Sequence, residues 1–162
     1  MGYALIRVVL ALAVAALAAS PVWAQSGKQA AADSNTIQHC VKSNTGPDKN
    51  WETCIGTVLN VCLEVAKSTA DQNACIDREQ KVWDDILNET YRRLRGKLDA
   101  GQQAKLREMQ RAWIASRDAT CHFYWDYYQG TMASPMSASC VNKETARRAL
   151  FLLGFLLEAE NK

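Results

Sequence analysis

The residues of this chain best suited to chemistry are its six cysteines: Cys40, Cys54, Cys62, Cys75, Cys121 and Cys140. Cysteines that bind zinc lie in pairs separated by about two to four residues, and the spacings here are much longer. The sequence also contains no C-x-x-C redox motif and no C-x-x-C-H haem motif. An even number of cysteines favours disulfides where the compartment is oxidising. We therefore predict three disulfides, no bound metal and no cofactor.

The first 24 residues predict export to such a compartment. They contain Arg7 as an early positive charge, an apolar run over 8–19 and the small-residue motif Val22-Trp23-Ala24. The apolar run is shorter than the ~20 residues that cross a bilayer. We predict a signal peptide over 1–24, cleaved after Ala24, and a periplasmic or secreted mature protein without a membrane span.

Histidines and carboxylates offer the remaining candidates for catalysis. The two histidines, His39 and His122, are not part of a serine elbow or an H-E-x-x-H pattern and are typical of surface residues. Glu79, Asp84 and Asp85 resemble the carboxylate sets that hydrolyse glycosides. Acidic residues are common on solvated helices, however, and no neighbouring feature indicates a raised pKa. We predict that the protein is not an enzyme.

Charge and length limit the possible partners and architecture. The chain has 19 Lys and Arg residues against 17 Asp and Glu residues. A nucleic-acid-binding protein would normally concentrate positive charge on one face, so we expect no nucleic-acid partner. The 162 residues, less the signal peptide, suffice for one domain.

Local composition predicts where structure begins. Residues 25–36 are small and polar, and we expect a mobile tether there before a single domain over 37–162. Residues 43–50 are rich in turn formers and predict a surface loop. A short helix is expected from Trp51 to about Ala66. Because the sequence lacks alternating strand patterns, we predict an all-α fold of about four helices.

The two longest helices are expected at roughly 69–97 and 102–128. Ser68 with Asp71, and Asp99 with Gln102, provide start signals for them. Apolar stripes joined by a short turn predict an antiparallel hairpin. The last helix, expected to begin near Asn142, should pack against it. The expected core residues are Trp83, Leu87, Tyr91, Leu94, Leu106, Trp113, Leu150 and Leu153.

The expected helix layout also suggests which cysteines pair. Cys62 and Cys75 flank one helix junction, and Cys121 and Cys140 flank the loop before the last helix. That leaves Cys40 to pair with Cys54, although an exchange of partners among Cys40, Cys54 and Cys62 stays open.

Two segments outside the cysteines are candidates for contacts. Arg117 follows Trp113 by four residues on a mostly apolar stripe, where a charge requires a partner. We expect Arg117 or the adjacent Asp118 to pair with Asn88 or Tyr91 in a structural role.

The second segment is a predicted loop over 126–139, in which Pro135 should prevent helix continuation. Aromatic and small polar residues on a restrained loop suit protein recognition. We predict contacts to a partner through Tyr127, Tyr128 and Thr131.

Several of these residues together resemble the LprI-type lysozyme-inhibitor domain, a family of small exported bacterial proteins. The similarity covers roughly residues 54–153 and rests on an L-N-x-x-Y stretch at 87–91 and a Q-R-A-W-I-x-x-R-D-x-x-C stretch at 110–121. The other matching residues are Cys75, Trp83, Asp84, Gly130, Thr131, Cys140, Thr145 and Arg147. The family often has two glycines in its loop where this chain has Gln129-Gly130.

The resemblance implies an exported protein that inhibits lysozyme or a related cell-wall hydrolase by occupying its substrate cleft. The alternative is an envelope structural or accessory module that binds another protein without inhibiting lysozyme. We expect a structural role for the motif residues Asn88, Tyr91, Trp113, Arg117 and Asp118. An inhibitor of a basic enzyme gains association rate from an acidic patch, and the near-neutral charge of this chain gives no such bias.

Overall fold

The computed structural model describes residues 22–45 and 50–161, so most of the predicted signal peptide lies outside the described residues. Within the described residues there are helices and no strands, which confirms the all-α prediction. No helix in these two ranges has both the length and the apolar character of a membrane span. The α-helices are α1 (Val22–Ser43), α2 (Leu59–Leu63), α3 (Thr69–Lys97), α4 (Ala100–Tyr127) and α5 (Ala133–Glu160), with 3-10 turns at Trp51–Cys54 and Gly130–Met132.

Helix α5 is the central element of the fold. It packs along α3 in the most extensive contact between any two described elements. The two helices run parallel, because Asn73 donates to Ser134 near their first turns and Arg93 pairs with Glu160 near their last. Buried side chains of α5 lie on more than one face, which is typical of a helix enclosed by its neighbours; they include Ala146, Arg148, Ala149, Leu150, Leu152 and Leu156.

The predicted hairpin is antiparallel, but its two helices pack chiefly on α5 and little on each other. Helix α4 runs opposite to α5, as the disulfide between Cys121 and Cys140 and the hydrogen bond from Arg148 to Gln110 show. The contact of α4 with α5 is second in extent to that of α3 with α5. Helices α3 and α4 are therefore held together by α5, which follows them in the chain.

Most of the predicted core is confirmed. Buried positions among the predicted ones are Trp83, Leu87, Leu94, Leu106 and Leu150. The remaining three, Tyr91, Trp113 and Leu153, are half-buried and pack against the buried cluster. The start signals also function as predicted: Ser68 Oγ accepts from the Asp71 amide, and Asp99 with Gln102 forms a reciprocal capping box.

The predicted loop over 126–139 is wrong, because α5 begins at Ala133 rather than near Asn142. Pro135 lies in the first turn of α5, where a missing amide proton removes no intrahelical hydrogen bond. Gly130 has a φ of 80°, which lets the chain reverse within a few residues. Asn142 does not cap a helix; it is fully buried inside α5.

The predicted short helix over 51–66 is also wrong. The 3-10 turn Trp51–Cys54 and helix α2 are separated by Gly56, which has a φ of 98°. The break turns three backbone amides toward the carboxylate of Glu79. The Glu79 carboxylate accepts hydrogen bonds from the amides of Gly56 (2.8 Å), Val58 (3.0 Å) and Leu59 (2.8 Å).

Glu79 is therefore not on a solvated face, as the sequence had indicated; its exposed fraction is 0%. Two side chains complete its surroundings, since Trp83 Nε1 donates to Oε1 at 3.3 Å and Asn142 Nδ2 donates to Oε1 at 3.0 Å. Five donors from three regions of the chain thus converge on one carboxylate. A buried charge is tolerated when its oxygens are saturated in this way.

The tether predicted over 25–36 is helical, because α1 spans Val22–Ser43. Alanines at 30–32 favour helix formation, and Ile37 is fully buried against the core. Asp33 anchors the helix to α3: it accepts two hydrogen bonds from Arg78, at 2.9 and 2.7 Å, and one from Gln29 at 2.8 Å. The cleavage site after Ala24 falls inside α1 and stays a prediction.

Burial alone would raise the pKa of Asp33, but the hydrogen bonds from Arg78 and Gln29 and the charge of Arg78 hold it below its ordinary value. This carboxylate therefore stabilises the folded state when it is ionised.

The three predicted disulfides are present, with Cα–Cα distances of 5.7, 5.5 and 5.4 Å. The first joins α1 to the 3-10 turn, the second joins α2 to α3, and the third joins α4 to α5. The pairs are Cys40–Cys54, Cys62–Cys75 and Cys121–Cys140. Among the described residues, no group of side chains has the arrangement of a metal site.

Replacing Glu79 with Gln should destabilise the fold by about 3 kcal/mol or more, because an amide NH2 group would then face backbone donors. Urea unfolding of the oxidised protein measures this change. Glu89→Gln, on an exposed face of the same helix, should have little effect. Equal midpoints for the two variants would contradict the proposed importance of the buried carboxylate.

Replacing Asp33 with Asn should reduce stability by about 1 kcal/mol near neutral pH, a value discounted because Arg78 is partly exposed. The folded-state pKa of Asp33 is lowered. Its contribution is thus complete above the unfolded pKa of about 3.9 and is lost as the pH falls through the lower folded-state value.

The stability difference between wild type and Asp33→Asn should accordingly shrink as the pH of the urea titration is lowered from about 5 to about 2. Asp85→Asn, at an exposed position of α3, is the control. A difference that does not depend on pH would show that the Asp33 charge is not responsible.

Candidate functional site

Two surfaces of the described residues combine exposed aromatic side chains with polar groups. The first lies where α4 ends and is called the aromatic tip; it comprises Phe123, Tyr124, Tyr127, Tyr128 and Thr131. Ring centroids are 6.1 Å apart between Phe123 and Tyr127, 5.0 Å between Tyr127 and Tyr128, and 5.9 Å between Tyr124 and Tyr128. The tip is therefore a continuous aromatic surface.

The sequence-predicted contact residues belong to this tip, although the loop expected to carry them does not exist. Tyr127 is the last residue of α4 and is 68% exposed, and Tyr128 is half-buried against it. Thr131 lies exposed in the following 3-10 turn. Their contact with a partner stays a prediction.

Covalent and hydrogen-bonded contacts restrain the tip. The disulfide of Cys121 joins α4 to α5 at Cys140, less than two turns before Tyr127. The hydroxyl of Ser137 donates to the Cys121 carbonyl oxygen at 3.0 Å. A partner that binds here meets side chains whose backbone is already ordered, which lowers the entropic cost of association.

The motif residues Trp113, Arg117 and Asp118 lie together, but the predicted partners of Arg117 are wrong. Arg117 donates to Asp118 Oδ1 at 2.9 and 2.7 Å and to Thr145 Oγ1 at 3.4 Å, and its guanidinium group lies 4.9 Å from the Trp113 ring centroid. Thr145 belongs to α5, which packs against α4 in the position where the predicted hairpin placed α3.

The other two motif residues are on α3. Asn88 is exposed and donates to Asp84 Oδ2 at 2.9 Å. Tyr91 packs half-buried against the core. The carboxylates considered for hydrolysis are not assembled into a site either, since Glu79 is fully buried whereas Asp84 and Asp85 are exposed.

The second surface is a groove of about 700 Å³ between the 3-10 turn Trp51–Cys54, α4 and α5. We call it the Trp51–Arg148 groove. The residues that define it are Trp51, Glu52, Trp113, Arg147, Arg148 and Phe151. Sequence analysis did not identify this groove, because its walls come from three separate segments and Trp51 was assigned only to a short helix.

The two adjacent arginines of the groove have different surroundings. Arg147 is half-exposed and pairs with Glu144 at 2.9 Å and with Glu52 at 3.6 Å. Arg148 is only 9% exposed, and its Nε donates to the neutral Gln110 side chain at 2.9 Å. Within the described residues Arg148 has no ion-pair partner, and desolvation lowers the pKa of its guanidinium group.

Aromatic rings cover part of the Arg148 charge. Its guanidinium carbon lies 5.5 Å from the Trp113 ring centroid and 5.2 Å from that of Phe151. Such contacts stabilise a cation but accept no conventional hydrogen bond. Nη2 of Arg148 and Nε1 of Trp51 are buried and have no hydrogen-bond partner in the described part of the chain. Two donors in the walls of one groove are thus unpaired.

A pair of adjacent arginines in α5 is a sequence signal at the groove, although it does not reveal which other segments form the walls. Apart from Arg147 and Arg148, the residues at 146–153 are all apolar. An arginine that is buried there, as Arg148 is, needs a partner for its charge.

Similarity to known proteins lies in the part of the chain that forms α3, α4 and most of α5. The sequence model described as lysozyme inhibitor LprI matches residues 62–152, more than half of the chain. An uncharacterized protein of Rhizobium meliloti (strain 1021) is 33% identical in an alignment of length 110 that covers 59% of this chain and 79% of that protein. No solved structure matches at a significant level. The matched region contains α3, α4, the aromatic tip and most of α5, and the chain belongs to the LprI lysozyme-inhibitor family.

Proposed function

We propose that this protein is an exported binding protein that inhibits lysozyme or a related peptidoglycan hydrolase by occupying its substrate cleft. The family match over 62–152 is the observation that carries the proposal. That region includes Tyr127, Tyr128 and Thr131, together with the disulfide that restrains them.

The chemistry of the aromatic tip suits such a cleft. Enzymes that hydrolyse glycosides use paired carboxylates in an open groove that accepts sugar rings. Tyrosine hydroxyls donate hydrogen bonds to carboxylates, and tyrosine ring faces provide apolar contact area with few rotatable bonds. Tyr127 is the most exposed of the tip tyrosines and should enter deepest.

Short-range contacts rather than long-range attraction should determine the affinity. The formal net charge of the whole chain is +2, so it offers no bulk negative charge to steer a basic enzyme. Packing and hydrogen bonding by the tip must therefore supply the binding energy.

The purified protein should inhibit lysozyme in a turbidity assay of cell-wall lysis. The double variant Tyr127→Ala, Tyr128→Ala should raise the inhibitory concentration at least tenfold, because buried tyrosines commonly contribute about 2 kcal/mol to an interface. Phe155→Ala removes an aromatic side chain of similar exposure near the opposite end of α5 and should leave inhibition unchanged. Melting temperatures verify that each variant is folded.

Inhibition retained by a folded Tyr127/Tyr128 variant would exclude the tip as the contact surface. No inhibition of any lysozyme class by wild type at micromolar concentration would favour the alternative, an envelope structural or accessory module that binds another protein.

A further inference from the structure

We infer that the Trp51–Arg148 groove binds an organic carboxylate whose oxygens accept hydrogen bonds from Arg148 Nη2 and Trp51 Nε1. This site is separate from the aromatic tip, and the inference does not depend on lysozyme inhibition.

The charge of Arg148 lacks an anionic partner among the described residues. Its neighbour Arg147 engages both Glu52 and Glu144, whereas Arg148 bonds only to the neutral Gln110 side chain among the described residues. A cation that is 91% buried needs an anion nearby or loses much of its solvation energy without replacement. An anionic ligand would provide the missing partner.

The groove also has two unpaired hydrogen-bond donors within the described part of the chain. Arg148 Nη2 and Trp51 Nε1 both belong to residues that line the groove, and neither has an acceptor in the described residues. A buried donor without an acceptor is destabilising, so such atoms are rare unless another group pairs with them. A carboxylate has two oxygens and donates no hydrogen, which matches two donors beside a cation.

The rest of the groove can hold the remainder of a carboxylate ligand. Rings of Trp51, Trp113 and Phe151 line the groove, and its volume of about 700 Å³ is that of an ordinary small-molecule site. Its polar wall consists of Arg147 with its two glutamates, which can exchange hydrogen bonds with hydroxyl or amide groups. The preferred ligand is therefore a carboxylate attached to a ring that has an apolar face.

Access requires a local movement. Both donor atoms are shielded from solvent, but Trp51 as a whole is half-buried and lies in a short 3-10 turn. Binding therefore requires the side chains that cover these two atoms to move. The indole N–H of Trp51 is consequently a direct reporter of ligand binding.

N-Acetylmuramic acid and N-acetylglucosamine are suitable probes, because the two share a sugar ring and an N-acetyl group and only the former has a carboxylate. Titration into the nitrogen-15-labelled protein should shift the Trp51 indole N–H signal, identified by its loss in Trp51→Phe. We expect N-acetylmuramic acid to shift the signal and N-acetylglucosamine to leave it unchanged. A glutamate-containing peptide with blocked ends is the second source of a carboxylate.

Arg148→Met should weaken binding of the carboxylate at least tenfold, as measured by calorimetry, without lowering the melting temperature, because it replaces an unpaired buried charge with an apolar side chain. Trp51→Phe keeps a ring and loses the donor, and it should weaken binding several-fold. Arg95→Met, at an exposed position of α3, is the control and should bind as wild type does.

Binding of the peptide alone would support the carboxylate site and assign its source to an acidic side chain of a partner protein. Binding of N-acetylmuramic acid alone would support it and assign the source to a free sugar acid. Failure of both probes would overturn the inference, as would unchanged affinity in Arg148→Met. If Arg148→Met proves unstable, Trp51→Phe decides, and unchanged carboxylate affinity in that variant overturns the inference.

Discussion

The fold depends on one buried carboxylate. Glu79 receives hydrogen bonds from the backbone before and within α2, from Trp83 on its own helix, and from Asn142 on α5. These donors come from three segments, and hydrogen bonds between them add directional preference to apolar contacts that have none. The carboxylate thus links the segment before α2 to α3 and α5, and α5 in turn contributes to both the aromatic tip and the groove.

Sequence patterns identified the elements whose signals are local. The bounds of α3 and α4 follow from Ser68 and Asp99, which cap their own helices, and the disulfides follow from cysteines near each other in the chain. The predictions that were wrong concern segments whose contacts are with residues distant in sequence. Asp33 lies in a helix that a hydrogen bond from Arg78 anchors to α3. The predicted helix is interrupted at Gly56, where backbone amides donate to Glu79. No periodicity within either segment encodes these contacts.

The same distinction applies to the two candidate surfaces. Tyr127 could be predicted as exposed from its position at the end of α4, although Tyr128 is half-buried and Pro135 led to an incorrect loop. The groove could not be predicted, since Trp51, Trp113 and Arg148 meet only when α5 lies between α3 and α4. The central position of α5 therefore determines both how the fold is held together and where its unpaired polar atoms lie.

The order of the disulfides has a consequence for biosynthesis. The first cysteine is bonded to the second, the third to the fourth and the fifth to the sixth, with separations of 14, 13 and 19 residues. Oxidation that pairs the cysteines two by two in the order in which they emerge during synthesis yields the native connectivity. Because α5 is the last helix to emerge, the first two bridges can close before the main interhelical contact exists. The native connectivity can therefore form directly, without exchange of partners between disulfides.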